Sequence, residues 1–210
     1  MELTYIGLSC LRLRGREVQV VIDPIPQGSV SGLPRLTPDV IVRTEGSIDP
    51  ALLRHRQGQP QEVRGPGEYE LRGVSIFGMA VDGTTVMRVE VDDVRVASLG
   101  RLRRQLSEDE IDALGHVDVL AVPVGGGDAL GASDATRLVN AVEPAIVVPV
   151  RYHVAGLPGE YDGVEKFAKE MGLSEGWAPL AKLNLTGAAG ASDEPRVVIL
   201  EARAAAAAGT

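Results

Sequence analysis

The sequence predicts an α/β protein built as a four-layer αββα sandwich, and three observations point there. The first hundred residues alternate short β-branched runs with glycine turns and contain little helix. After residue 106 the pattern becomes strand–helix–strand, which implies parallel pairing with helices outside the sheet. There is no short-period repeat: two β-rich stretches each pass into helical segments, so two sheets packed face to face bury both. At 210 residues the chain fits one domain, and its 44% apolar content can fill a core. Aromatic residues make up only 3%, so that core is built from Val, Leu, Ile and Ala. One domain is expected over residues 1–203, its two halves meeting near 100–106, with residues 204–210 a fraying tail.

In order, residues 2–6, 9–14 and 17–22 read as strands, with Gly15-Arg16 at a hairpin tip. Asp23-Pro24 ends the third, and a Pro/Gly/Ser-rich loop runs to Pro38. Val40-Ile-Val42 is a short buried strand, too short for a helix. One helical turn is expected within 50–60. From Glu62 to Gly78 glycines separate short strands, and Thr84–Val91 pairs with Val94–Leu99 across Asp92-Asp93. Ser107-Glu-Asp-Glu110 is a capping box that opens a helix, and Gly115 stops it. Strands are then expected at 117–124, 145–150 and 195–202. Helices are expected at 133–142, ended by Pro144, and at 162–171.

The charge of −8 argues against a nucleic-acid partner, because neutralising phosphates needs a basic face. The lone Cys10 permits neither an internal disulfide nor a cysteine-rich zinc cage, and reads as a small core residue. No apolar run approaches the roughly 20 residues of a membrane span, and no signal peptide is visible. A cytoplasmic protein without membrane contact is therefore expected.

The stretch richest in chemistry lies just after the Val40–Val42 strand: Thr44-Glu-Gly-Ser-Ile-Asp-Pro50. Polar loops beyond the carboxyl ends of buried strands are where α/β proteins place their sites. Glu45, Ser47 and Asp49 are spaced by two, so an extended loop aims all three the same way. They form either a weak metal site or a solvated loop in which Asp49 or Ser47 caps a short helix. Gly125-Gly-Gly127 offers backbone amides to an anion, but with no following Lys-Ser/Thr it is not a nucleotide loop.

Several motifs in order resemble one family: Met1-Glu-Leu-Thr-Tyr-Ile-Gly-Leu-Ser-Cys10, Val21-Ile-Asp-Pro24, Gly65-Pro-Gly-Glu-Tyr-Glu70, Pro123-Val-Gly-Gly-Gly127 and Glu143-Pro-Ala-Ile-Val-Val-Pro149. The chain resembles the metallo-β-lactamase superfamily, in the branch of small bacterial Zn-dependent-hydrolase-like proteins related to L-ascorbate-6-phosphate lactonases. The resemblance implies the αββα fold, with a metal site at one edge between the halves. It also implies a Thr/Ser-His-x-His-x-Asp-His metal signature, which here reads Thr44-Glu45-Gly46-Ser47-Ile48-Asp49-Pro50 and keeps only Asp49. The histidine of the family's Gly-His-Ser-Cys falls on Leu8, and the bridging aspartate of Leu-Gly-Asp on Arg101. The last histidine, of Pro-Met-His-Tyr, falls on Arg151, beside Tyr152. The histidine expected after the Gly-Pro-Gly-Glu-Tyr-Glu hairpin has no counterpart in a loop shortened to Gly78–Thr84.

A guanidinium cannot bind a metal and repels a cation. The expectation is that Arg101 and Arg151 occupy the former metal space and pair with Glu45 and Asp49. No cofactor is expected where the family uses zinc, and no catalytic residue is assigned. The remnant site comprises Glu45, Ser47, Asp49, Arg101, Arg151 and Tyr152. This makes the chain a binding or structural protein of the fold, with a small anionic ligand or a second copy as partner. The alternative is a hydrolase of a small anionic lactone, ester or phosphoester with a rebuilt site, in which His153 serves as a rescue ligand.

Overall fold

The computed structural model describes residues 1–25, 33–45, 58–173, 177–187 and 195–206. Two sheets form the centre. The first contains β1 (Glu2–Gly7), β2 (Cys10–Arg14), β3 (Gln19–Ile22), β4 (Val40–Arg43), β5 (Gln61–Arg64) and β12 (Leu183–Asn184), in the order β12-β1-β2-β3-β4-β5. The second contains β6 (Gly67–Leu71), β7 (Val74–Val81), β8 (Thr84–Val91), β9 (Val94–Ser98), β10 (Val119–Pro123), β11 (Ile146–Val150) and β13 (Arg196–Val197). Its order is β13-β11-β10-β9-β8-β7-β6. Each sheet starts as an antiparallel meander and turns parallel: β3-β4-β5 in the first, β9-β10-β11-β13 in the second. The parallel ends carry the site.

Residue alternation explains the layers. In the first sheet Leu3, Tyr5, Leu11, Leu13, Val20, Ile22, Val40 and Val42 face the second sheet and join one large core. Ile6, Cys10, Val21 and Ile41 face outward and form a second cluster, covered by Ile25 and Leu36. The helical turn expected within 50–60 lies largely outside the described residues. Outside the second sheet lie α1 (Glu108–Leu114), α2 (Ala132–Val142) and α3 (Val164–Glu170), and a last turn, α4 (Arg203–Ala206), packs on β1.

The capping box of α1 forms in full: Ser107 Oγ accepts from the Glu110 amide, and the Glu110 carboxylate accepts from the Ser107 amide. Three successive hairpins turn at Arg72-Gly73, Asp82-Gly83 and Asp92-Asp93, with positive φ at both central residues, the geometry that matches strand twist. Three expectations change. Residues 78–84 are not a loop, because β7 and β8 pair as far as Val81↔Thr84. The last strand shrinks to Arg196–Val197, and beyond it a single bridge links Leu180 to Leu200. The tail begins later than residue 204, since Ala204 is buried in α4. No helix among the described residues is long and apolar enough to cross a membrane.

Candidate functional site

Five strand ends and one turn meet at the edge between the sheets. They are Asp23 after β3, Thr44-Glu45 after β4, Gly100-Arg101 after β9, Gly125–Asp128 after β10, Arg151 after β11, and the Leu8-Ser9 turn between β1 and β2. Leu8, Asp23 and Arg151 all hold positive φ, at 52°, 46° and 53°. For residues with a side chain that conformation is costly, and it persists only where the surroundings hold it. The Arg151 amide donates to the Leu8 carbonyl at 2.8 Å, tying the two strained turns together. Gly100, at φ 56°, allows the sheets to touch: a Cβ there would lie 2.4 Å from Thr44 Oγ1 and 2.9 Å from Thr84 Oγ1.

Arg151 is the centre. Its side chain is 9% exposed. Nε donates to Asp128 Oδ1 at 3.0 Å and Nη2 to Asp128 Oδ2 at 2.8 Å, a bidentate fork. Nη1 reaches Ser9 Oγ at 3.2 Å and Glu45 Oε1 at 3.3 Å. The Tyr161 ring lies 5.5 Å from the guanidinium carbon, a cation–π distance. Arg101 pairs with Glu45 through Nε and with Asp128 Oδ2 through Nη1 at 3.1 Å. Arg103 Nε donates to the Asp128 carbonyl at 3.1 Å. Burial opposes the Asp128 charge, but hydrogen bonds from Arg151 and Arg101 prevail and pull its carboxyl down to about 2.

Beneath this cluster, Asp23 accepts from the Thr44 amide at 2.7 Å and from Thr44 Oγ1 at 2.6 Å. Burial pushes its carboxyl up to about 7 against those two bonds, and the neighbouring Glu45 charge adds to the rise. Asp23 thus holds the end of β4 in place through Thr44.

The structure brings together Glu45, Arg101 and Arg151. Ser47 and Asp49 lie outside the described residues, and the second acid of the described cluster is Asp128. Composition and spacing pointed to the Gly125–Gly127 turn, but nothing local marked the aspartate after it as a partner for an arginine 23 residues away. Tyr152 is not part of the cluster. Its hydroxyl donates to the Leu200 carbonyl at 3.1 Å and its ring lies 5.7 Å from Tyr5, in the core, where burial raises its phenol to about 12. His153 is exposed and lines a shallow depression of about 470 Å³ with Glu160, Tyr161, Asp162 and two glycines of the β10 turn. His116 pairs with Asp118 at 3.2 Å, away from the strand ends, and Cys10 is buried with its thiol pushed up by desolvation.

The donor set that the described residues supply does not fit a divalent metal. Two carboxylates stand here among guanidinium groups, which offer no lone pair, and a carboxylate already clasped by two arginines is a poor ligand. Among the described residues no three His, Cys, Asp or Glu side chains gather around a common point.

Comparison with known proteins gives the arrangement its context. Residues 2–151 match the family model for the β-lactamase superfamily domain. A UPF0173 protein of Pyrococcus furiosus is 26% identical over 212 residues, covering 84% of this chain and 93% of the relative. A protein of Methanoregula boonei named a UPF0173 metal-dependent hydrolase is 27% identical over 187 residues, covering 73% of this chain and 82% of the relative. Among solved structures, one from Thermotoga maritima titled as a Zn-dependent hydrolase of the metallo-β-lactamase superfamily superposes with a TM-score of 0.81 at 25% identity. It covers 96% of this chain and 99% of its own. A metallo hydrolase of Ignicoccus hospitalis shares the fold with a TM-score of 0.64 at 18% identity, over 88% of this chain and 99% of its own.

Proposed function

The chain belongs to the metallo-β-lactamase superfamily, and from that premise we propose a protein that keeps the fold but has exchanged metal-dependent hydrolysis for a binding or scaffolding role. The observation that carries this reading is Arg151. Its guanidinium is almost fully enclosed and engages Ser9, Glu45 and Asp128 at once, at the position where the resemblance places the last metal-binding histidine. Arg101, at the position of the bridging aspartate, closes the same group of contacts. A cationic side chain thereby takes the place of a cation and clasps loops of both sheets. Glu45 and Asp128 balance Arg101 and Arg151, so these four side chains carry little net charge among themselves. Such a cluster favours one loop arrangement more than it adds overall stability.

The relatives' description as metal-dependent hydrolases motivates the direct test. Protein produced without a histidine tag is assayed for metal by mass spectrometry, then titrated with zinc and manganese while its melting temperature is followed. The expected outcome is metal far below one equivalent and no stabilisation by either ion. Stoichiometric metal with a raised melting temperature overturns the reading, and screening with lactones, esters and phosphodiesters is then the next step.

A further inference from the structure

We propose that the outer rim of the cluster, formed by Arg101 and Arg103 around Asp128, is a binding site for a small phosphate-bearing ligand. The proposal rests on the metal-free reading above and supplies the ligand class for that edge.

Three guanidinium groups converge on one residue. Arg151 and Arg101 take the Asp128 carboxylate, and Arg103 takes its carbonyl. Among the described residues only two carboxylates, Glu45 and Asp128, answer them, so one positive charge is left over. A further acid, Asp23, is buried beneath; burial pushes its carboxyl up to about 7, so it carries only part of a charge at neutral pH, and it faces Thr44 rather than the arginines. Asp162 in the adjacent depression is matched by Lys166 at 2.6 Å, and Glu160 forms no ion pair with the three arginines. Arg104 does not add to the excess, since Glu110 holds it bidentately at 2.7 Å.

The excess sits where a ligand can reach it. Arg151 is enclosed, whereas the Arg101 side chain is 42% exposed and Arg103 is exposed. Arg101 commits Nε and Nη1 to the internal acids, which leaves Nη2 without a partner among the described residues. Arg103 commits Nε to a neutral carbonyl, so no described acid answers its charge. Guanidinium donors match the oxygens of a phosphate, whose charge answers the positive charge left over at the rim. In a chain of net charge −8, a cationic spot at the meeting point of five strand ends also stands out against the overall field.

Inorganic phosphate is the probe. The full chain, with its metal content measured, is titrated with phosphate by calorimetry and by melting temperature, with chloride keeping the ionic strength constant. Phosphate is expected to bind and to raise the melting temperature. Arg103→Gln is expected to weaken binding about tenfold, the effect of losing one charge-assisted contact. Arg103→Lys should retain part of the affinity. Both variants should melt like the parent in chloride, because Arg103 is exposed. Arg16→Gln, at the hairpin tip between β2 and β3, controls for lost charge and should bind normally. Phosphate acting no better than chloride overturns the proposal, as does equal binding by Arg103→Gln. Stoichiometric metal brings down the metal-free reading separately. Phosphate binding that is lost on chelation and indifferent to Arg103 brings down both.

Discussion

At the scale of the residue, Arg151 and Asp23 carry opposite burdens. Arg151→Met fills similar space but leaves Glu45 and Asp128 without their main cation. Breaking a largely buried pair from one side is costly, so the variant should lose about 3 kcal/mol in urea denaturation at pH 7. Arg151→Lys keeps the charge but not the fork, and should lose less. Asp23 is testable through pH. Its folded value of about 7 lies above the ordinary 3.8, so the folded state holds a proton that the unfolded chain has released. Stability therefore falls as pH rises from about 4 to about 7 on this group's account. Asp23→Asn tolerates the positive φ and still accepts from the Thr44 amide, and its melting temperature should lack that decline. Asp128 works the other way: held at about 2, it contributes stability above the ordinary 3.8 that is lost as pH falls through 2.

At the scale of the element, the Asp92-Asp93 hairpin and the α1 cap were legible because their causes are local: the residues at a two-residue tip and Ser-x-x-Glu before a helix act within four residues. The Asp82-Gly83 turn is just as local but sits inside a segment that reads as a loop. Strand ends were less legible: β13 stops at Val197 because the segment beyond it meets Leu180 through one bridge at Leu200, not through a ladder. Two glycines separate the local cause from the tertiary one. Gly83 has φ 82° and no atom within 4 Å of where a Cβ would stand, so Gly83→Ala should cost only backbone strain, about 1 kcal/mol. Gly100 adds contact with Thr44 and Thr84 to its positive φ, so Gly100→Ala should cost about 3 kcal/mol or more. Chemical denaturation of both variants side by side measures the difference.

At the scale of the whole molecule, the ionic cluster joins the β4 loop of the first sheet to the ends of β9, β10 and β11 in the second. Where a metal performs that task, binding energy is folding energy and a chelator destabilises the protein. Under the proposed exchange the connection is made by ion pairs between the chain's own side chains, so EDTA should leave the melting temperature unchanged, as differential scanning calorimetry can check. Among the described residues, Ile25 and Leu36 cover the first sheet's outer face. That outward-facing set was readable only as alternation along β1 to β4, without indication of what covers it.

By itself the sequence determined the two β-rich halves, the parallel turn of the second sheet and most element positions. Those rest on periodicity, turn chemistry and side-chain identity, all properties of neighbouring residues. Only the tertiary structure decided that Asp128 answers the two arginines, that Tyr152 turns into the core, and that Gly100 is where the sheets touch. Each of these depends on which strand ends meet across the two sheets. Residues more than 20 positions apart, such as Asp128 and Arg151, become partners because folding brings their strands side by side, and no local pattern records that encounter.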